Sequence, residues 1–232
     1  MRRVMTLYRS SVGKKIMMAL SGIILFGFVV GHMLGNLKAF QSPDGAGPHP
    51  LDTYGEFLRE FGYPLLPEYG LLWGARIVLL VAVGIHILAA VQLWSQSRRA
   101  RSQRYKKEDS QVFSYASRTM RWGGVIVAAF VVYHLLHFTT GTVHPDFEYG
   151  RVYENLVIGF QNPLIAGFYI VAVGALCLHL YHGIWSAFAT LGSQNAKVQK
   201  LRRPLAAVVS VGLFIGYVSV PLAVLAGILT LG

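Results

Sequence analysis

Five stretches of the chain carry no Asp, Glu, Lys or Arg: Ile16–Leu37, Ile77–Ser97, Trp122–Pro145, Asn155–Ala196 and Pro204–Gly232. Crossing a hydrocarbon core of about 30 Å takes roughly 20 helical residues at about 1.5 Å rise, so each stretch is long enough. Pro163 marks where a helix can begin inside the fourth. The pattern predicts five transmembrane helices, over about 14–39, 69–97, 119–142, 163–191 and 204–230. Between the first two lies a connection, 41–68, with the turn formers Ser42-Pro43-Asp44-Gly45 and Gly47-Pro48 and a short amphipathic helix from Leu51 to Phe61. A shorter connection, 143–162, is bounded by Pro145 and Pro163. The reading is an all-α polytopic membrane protein, a single transmembrane domain over residues 1–232.

Composition agrees with this pattern, since only 13% of the 232 residues are charged, against about a quarter in an ordinary soluble domain. The net charge of +11 raises the question of nucleic acid, and its layout answers it. Seventeen of the 21 Lys and Arg precede the first span or lie in the connections after the second and fourth. Eight of the ten acids lie on the opposite side, in 41–68 and 143–162. This asymmetry places the N-terminus in the cytoplasm and the C-terminus outside, in a bacterial-type cytoplasmic membrane. The basic face serves topology and contact with anionic membrane lipid, not nucleic acid. Arg2, Arg3, Arg9, Lys14 and Lys15 before an apolar run imitate a signal peptide, but the run exceeds an h-region and lacks a small-x-small cleavage site. It is expected to be a retained first helix. The single Cys177 excludes an internal disulfide, a four-Cys iron–sulfur cluster and covalent c-type haem attachment.

The chemistry lies in the histidines. Six of the eight fall within the apolar spans: His32, His86, His134, His137, His179 and His182, with none in the fifth span. An ionisable side chain at membrane depth is costly and faces the bundle interior, where a helix–helix hydrogen bond is its ordinary use. Depth separates the six. From helix centres and a rise of about 1.5 Å, His32 lies about 8 Å toward the outside, His134 about 2 Å and His137 about 7 Å. His86 lies about 4 Å toward the cytoplasm, His179 about 2 Å and His182 about 7 Å. An outer pair from the first and third spans and an inner pair from the second and fourth suit two bis-histidine haems stacked along the membrane normal. Haem iron takes axial ligands from opposite faces of a flat ring, so two helices must present one imidazole each. The candidates separate by depth and no Cys or carboxylate joins them, which disfavours zinc. Gly27, Gly31 and Gly35 repeat every fourth residue beside His32; close helix packing and room for a haem both account for them.

The segment Gly22-Ile23-Ile24-Leu25-Phe26-Gly27-Phe28-Val29-Val30-Gly31-His32-Met33 resembles the first helix of the di-haem cytochrome b subunits of succinate dehydrogenases and fumarate reductases. So do Val132-Tyr133-His134-Leu135, Leu178-His179 and Gly183-Ile184-Trp185-Ser186 in the third and fourth spans. The resemblance implies one membrane anchor with two b haems. It also implies a flavoprotein and an iron–sulfur subunit on the cytoplasmic face, and a quinone site, commonly for menaquinone. Carried over by residue, His32 and His134 would ligate the outer haem, His86 and His179 the inner one. His137 and His182 sit one turn further on nearly the same helix faces and stay as alternates; depth alone fits His137 better than His134.

Other groups follow from the chemistry of the ligands. Anionic haem propionates pair with cations near the interfaces. Arg76 and Lys38 are candidates at the outer side, Ser21 and Arg121 at the inner side, where Ser21 and Arg121 are also candidates for quinone contact. Quinone chemistry moves protons with electrons and needs an acid or base in reach; Glu56 and Glu60, one turn apart, are the candidates. The basic connection 98–118 carries Tyr105, Phe113 and Tyr115, residue types enriched at protein interfaces, and is the expected docking surface for the partner subunits. The catalysis in water belongs to those partners. Cytochromes b of hydrogenases, formate dehydrogenases or the bc type, and a transporter relaying protons through histidines, are the alternatives. The bc arrangement needs two well-separated ligands on each of two helices. A transporter would more often show carboxylates within its spans.

Overall fold

A computed structural model describes residues 10–100, 114–190 and 195–231. Arg2, Arg3 and Arg9, and the basic and aromatic residues of 101–113, including Tyr105 and Phe113, lie outside the described residues. The elements in order are α1 (Ser11–Asn36), continued by a 3-10 turn (Leu37–Phe40), α2 (Pro50–Glu60), α3 (Gly70–Arg99), α4 (Ser114–Phe138), α5 (Val152–Gln161), α6 (Pro163–Thr190) and α7 (Ala196–Leu225). No strand occurs among the described residues. Five of these helices, α1, α3, α4, α6 and α7, are long and apolar enough to cross a membrane.

The expected spans hold to within a few residues except at two places. The last helix begins at Ala196, not at Pro204. Asn195 caps it, its Oδ1 accepting the Lys197 amide at 2.9 Å, and Pro204 and Pro221 lie inside it. A proline removes one backbone donor, a loss that neighbouring helices tolerate in such bundles. The same helix stops at Leu225, where Gly227 takes a φ of +69°. Second, residues 143–162 are not only a connection. Leu156, Val157 and Phe160 are buried, and Val152 and Tyr153 pack against that core, which is helical spacing, and they form α5.

α1 packs against α3, α6 and α7, and α6 packs against α4 and α7. The close core lies between α1, α6 and α7, where Val173, Cys177, Leu213 and Val218 meet Phe26, Val30 and Met33. Ile23, Ile24, Leu80 and Leu88 are exposed, as side chains facing lipid would be. The acid-rich end is closed by α2, α5 and the last residues of the chain. Asp52 Oδ1 accepts the Tyr153 amide at 2.9 Å, the His49 ring stacks on Tyr153 with centroids 3.6 Å apart, and Tyr153 Oη donates to the Thr230 carbonyl at 3.1 Å. His144 accepts the Asp146 amide at Nδ1. As a neutral imidazole it then donates from Nε2 to the Asn155 carbonyl at 2.8 Å. These two histidines are structural ties.

Candidate functional site: two facing histidine pairs

The side chains of α1 and α4 meet at His32 and His134, whose ring centroids are 5.7 Å apart with planes at 79°. Those of α3 and α6 meet at His86 and His179, 6.2 Å apart at 64°. Among the described residues neither α1 with α4 nor α3 with α6 forms a closely packed interface, so the two rings of each pair approach from helices that do not pack on each other. By position along their helices, His32 and His134 lie in the acid-rich half, while His86 and His179 lie just past the middle toward the basic end. The structure thus brings together the same two pairs that the resemblance joined, with His134 rather than the depth-favoured His137 facing His32.

A Cβ added at Gly27 or Gly31 would meet nothing within 4 Å, whereas one at Gly35 would press on Tyr54 at 2.9 Å. Close helix packing therefore accounts for Gly35 but not for Gly27 and Gly31. On the pair from α3 and α6, an added Cβ at Gly22 would lie 3.3 Å from His86 Cε1 and one at Gly124 3.7 Å from His179 Cε1. The Nδ1 atoms of His134 and His179 are buried without a hydrogen-bond partner. His86 differs: its Nδ1 is 3.2 Å from the Met18 carbonyl and 3.3 Å from Ser21 Oγ.

The alternates face elsewhere. His137 is fully buried and its Nδ1 bonds the Tyr169 hydroxyl at 3.0 Å. Its ring packs on Tyr133, Phe138 and His144. His182 Nδ1 accepts the Trp185 indole N–H at 3.3 Å, and the Arg202 and Arg203 guanidinium groups lie 5.5 Å from the centre of that indole. Both alternates are engaged in hydrogen bonds within the bundle.

Arg76 lies over the Trp73 ring at 5.0 Å and Lys38 over Tyr54 at 5.5 Å, while Arg121 is exposed. Ser21 is buried and engaged with α1 carbonyls and His86. Glu56 and Glu60 are exposed and line, with Arg59, Glu68 and Tyr69, a polar cleft of about 190 Å³ at the acid-rich end. The Tyr69 hydroxyl is held above its usual range by a hydrogen bond to Tyr149. In the same region burial lowers the His49 pKa, against the opposing pull of Asp52.

Two groups escaped the reading of the sequence. Tyr217 on α7 donates to the Val29 carbonyl at 2.6 Å and its ring lies 6.2 Å from His32. Tyr169 on α6 packs against His134 and holds His137. A tyrosine deep in an apolar span needs a partner for its hydroxyl, and that was the available signal. Among the described residues no three His, Cys, Asp or Glu side chains converge. The arrangement offers two facing imidazole pairs.

The sequence model of the succinate dehydrogenase/fumarate reductase transmembrane subunit matches residues 95–219. That range contains His134, His137, His179 and His182 and covers more than half of the chain. No curated protein and no solved structure matches. With five membrane-length helices and this match, the chain is a multi-pass membrane protein and belongs to the family of succinate dehydrogenase and fumarate reductase transmembrane subunits.

Proposed function

We propose that this chain is the membrane anchor that carries electrons between an iron–sulfur subunit and membrane quinone through two b haems. The observation that carries the reading is the pair of facing imidazole couples at two depths. His32 with His134, ring centroids 5.7 Å apart, and His86 with His179, 6.2 Å apart, would each hold one haem iron between them. The α1–α4 and α3–α6 seams, which do not pack closely among the described residues, would leave room for a flat ring. A haem held by two imidazoles would supply single-electron exchange.

In this reading His86 and His179 hold the inner haem and His32 and His134 the outer one. The basic end faces the cytoplasm, with the N-terminus inside and the C-terminus outside. Arg76 and Lys38 are the cations this reading assigns to the outer propionates, and Arg121 to the inner ones. The connection 98–118 receives the iron–sulfur and flavoprotein subunits. Menaquinone exchanges electrons near the outer haem, with Glu56 and Glu60 as the proton-handling groups beside the polar cleft. The family match sets aside the hydrogenase-type and transporter alternatives.

Gentle detergent extraction should recover the chain with a flavoprotein and an iron–sulfur subunit. Succinate:quinone activity is expected only in that assembly, with succinate or a quinol reducing the haem bands. Recovery with a hydrogenase subunit, or an assembly active without haem, would overturn the reading.

A further inference from the structure

Four imidazoles face each other in pairs, yet only one of them is tied to a neighbouring helix through its Nδ1. The His86 ring on α3 reaches α1, where its Nδ1 lies 3.2 Å from the Met18 carbonyl and 3.3 Å from Ser21 Oγ. The Ser21 hydroxyl proton is already committed, at 2.7 Å, to the Met17 carbonyl. Neither partner can therefore donate to the ring, because a carbonyl has no proton and the hydroxyl has spent its own. The proton must sit on His86 Nδ1, and Nε2 keeps its lone pair. By contrast, the Nδ1 atoms of His134 and His179 are buried with no partner. Gly22 makes the approach feasible, since a Cβ there would lie 3.3 Å from His86 Cε1 and 3.6 Å from Nδ1.

We propose that Ser21 and the Met18 carbonyl hold His86 in the Nδ1–H tautomer and through it lower the reduction potential of the inner haem. The inference rests on the haem reading above. Ser21 is then a positioning residue, not a propionate contact. A hydrogen bond donated by the distal nitrogen makes an imidazole more basic and fixes its orientation. A more basic axial ligand favours the ferric over the ferrous state. Removing one of two acceptors weakens this donation, so the potential should rise.

The test is a potentiometric titration of the purified complex, followed in the haem bands, with haem per chain measured on the same samples. The inner couple is identified as the one that disappears in His86→Ala. Ser21→Ala should retain both haems and move the inner couple to higher potential while the outer couple stays in place. Ser21→Thr, which keeps the hydroxyl, should restore it. Gly22→Ala, which pushes the ring from its acceptors, should shift the same couple in the same direction. If neither Ser21 variant assembles, Gly22→Ala decides alone. Two haems per chain with an unmoved inner couple, or equal shifts of both couples, overturn this proposal and leave the haem reading standing. No haem in the unaltered complex would overturn the haem reading itself.

Discussion

His137 Nδ1 and Tyr169 Oη lie 3.0 Å apart, in a fully buried contact between α4 and α6, one turn along α4 from the ring of His134 that faces His32. The contact braces α4 against α6 through Nδ1 alone; what sets His137 apart from the facing pair is its ring, which packs on Tyr133, Phe138 and His144 and not on His32. At the matching position on α6, His182 accepts from Trp185 three residues along the same helix. His137→Ala and His182→Ala should therefore each retain two haems. Tyr169→Phe should retain them too, but it leaves His137 Nδ1 buried and unpaired. That loss should destabilise the protein by about 1–3 kcal/mol, seen as a lower Tm of the solubilised complex. Loss of the outer haem in His137→Ala would exchange the roles of His134 and His137.

Glu56 and Glu60 stand one turn apart on α2 with Arg59, beside Glu68 and Tyr69. If they serve quinone-coupled proton transfer, the doubly neutral form Glu56→Gln/Glu60→Gln should slow quinol-linked turnover at least tenfold. It should leave haem content and succinate reduction of an artificial acceptor unchanged. Steady-state kinetics with a soluble quinone separate the two effects. Unchanged quinone turnover would remove these acids from the site.

The His49 ring caps α2 by accepting the Leu51 amide at Nδ1, 3.1 Å away, so it must be neutral there. Burial holds its pKa below the usual value of about 6.5. The unfolded segment thus binds the proton more readily than the folded one. The cap's contribution is complete above about pH 6.5 and is lost as pH falls through the lower, folded value. Amide exchange at Leu51 should accelerate on acidification. His49→Asn, which can cap without titrating, should flatten that dependence; an equally steep one would place its origin elsewhere.

The bundle was legible because its signals are long and repeated. Uncharged runs of more than 20 residues mark the spans, and histidine register along them separated His32 and His134 from His86 and His179. Helix ends were less legible. The Asn195 cap and the interior Pro204 show that one local feature can outweigh a proline, and α5 hid in a short apolar stretch beside Pro163. Which of His134 and His137 faces α1 could not follow from depth, because one turn along a helix changes depth by only about 5 Å. Rotation decides it, and rotation is set by tertiary partners such as Tyr169. The Ser21–His86 bond was illegible for the same reason: its partners are separated by 65 residues.

The most direct test of the two-haem account is a pyridine haemochrome determination on the purified complex, per copy of this chain, in the unaltered protein and in four single variants. The account predicts two b haems in the unaltered chain. His32→Ala and His134→Ala should each leave one haem with the same potential, and His86→Ala and His179→Ala should each leave the other. A value near zero in the unaltered complex, or partners within a pair losing different haems, would contradict it.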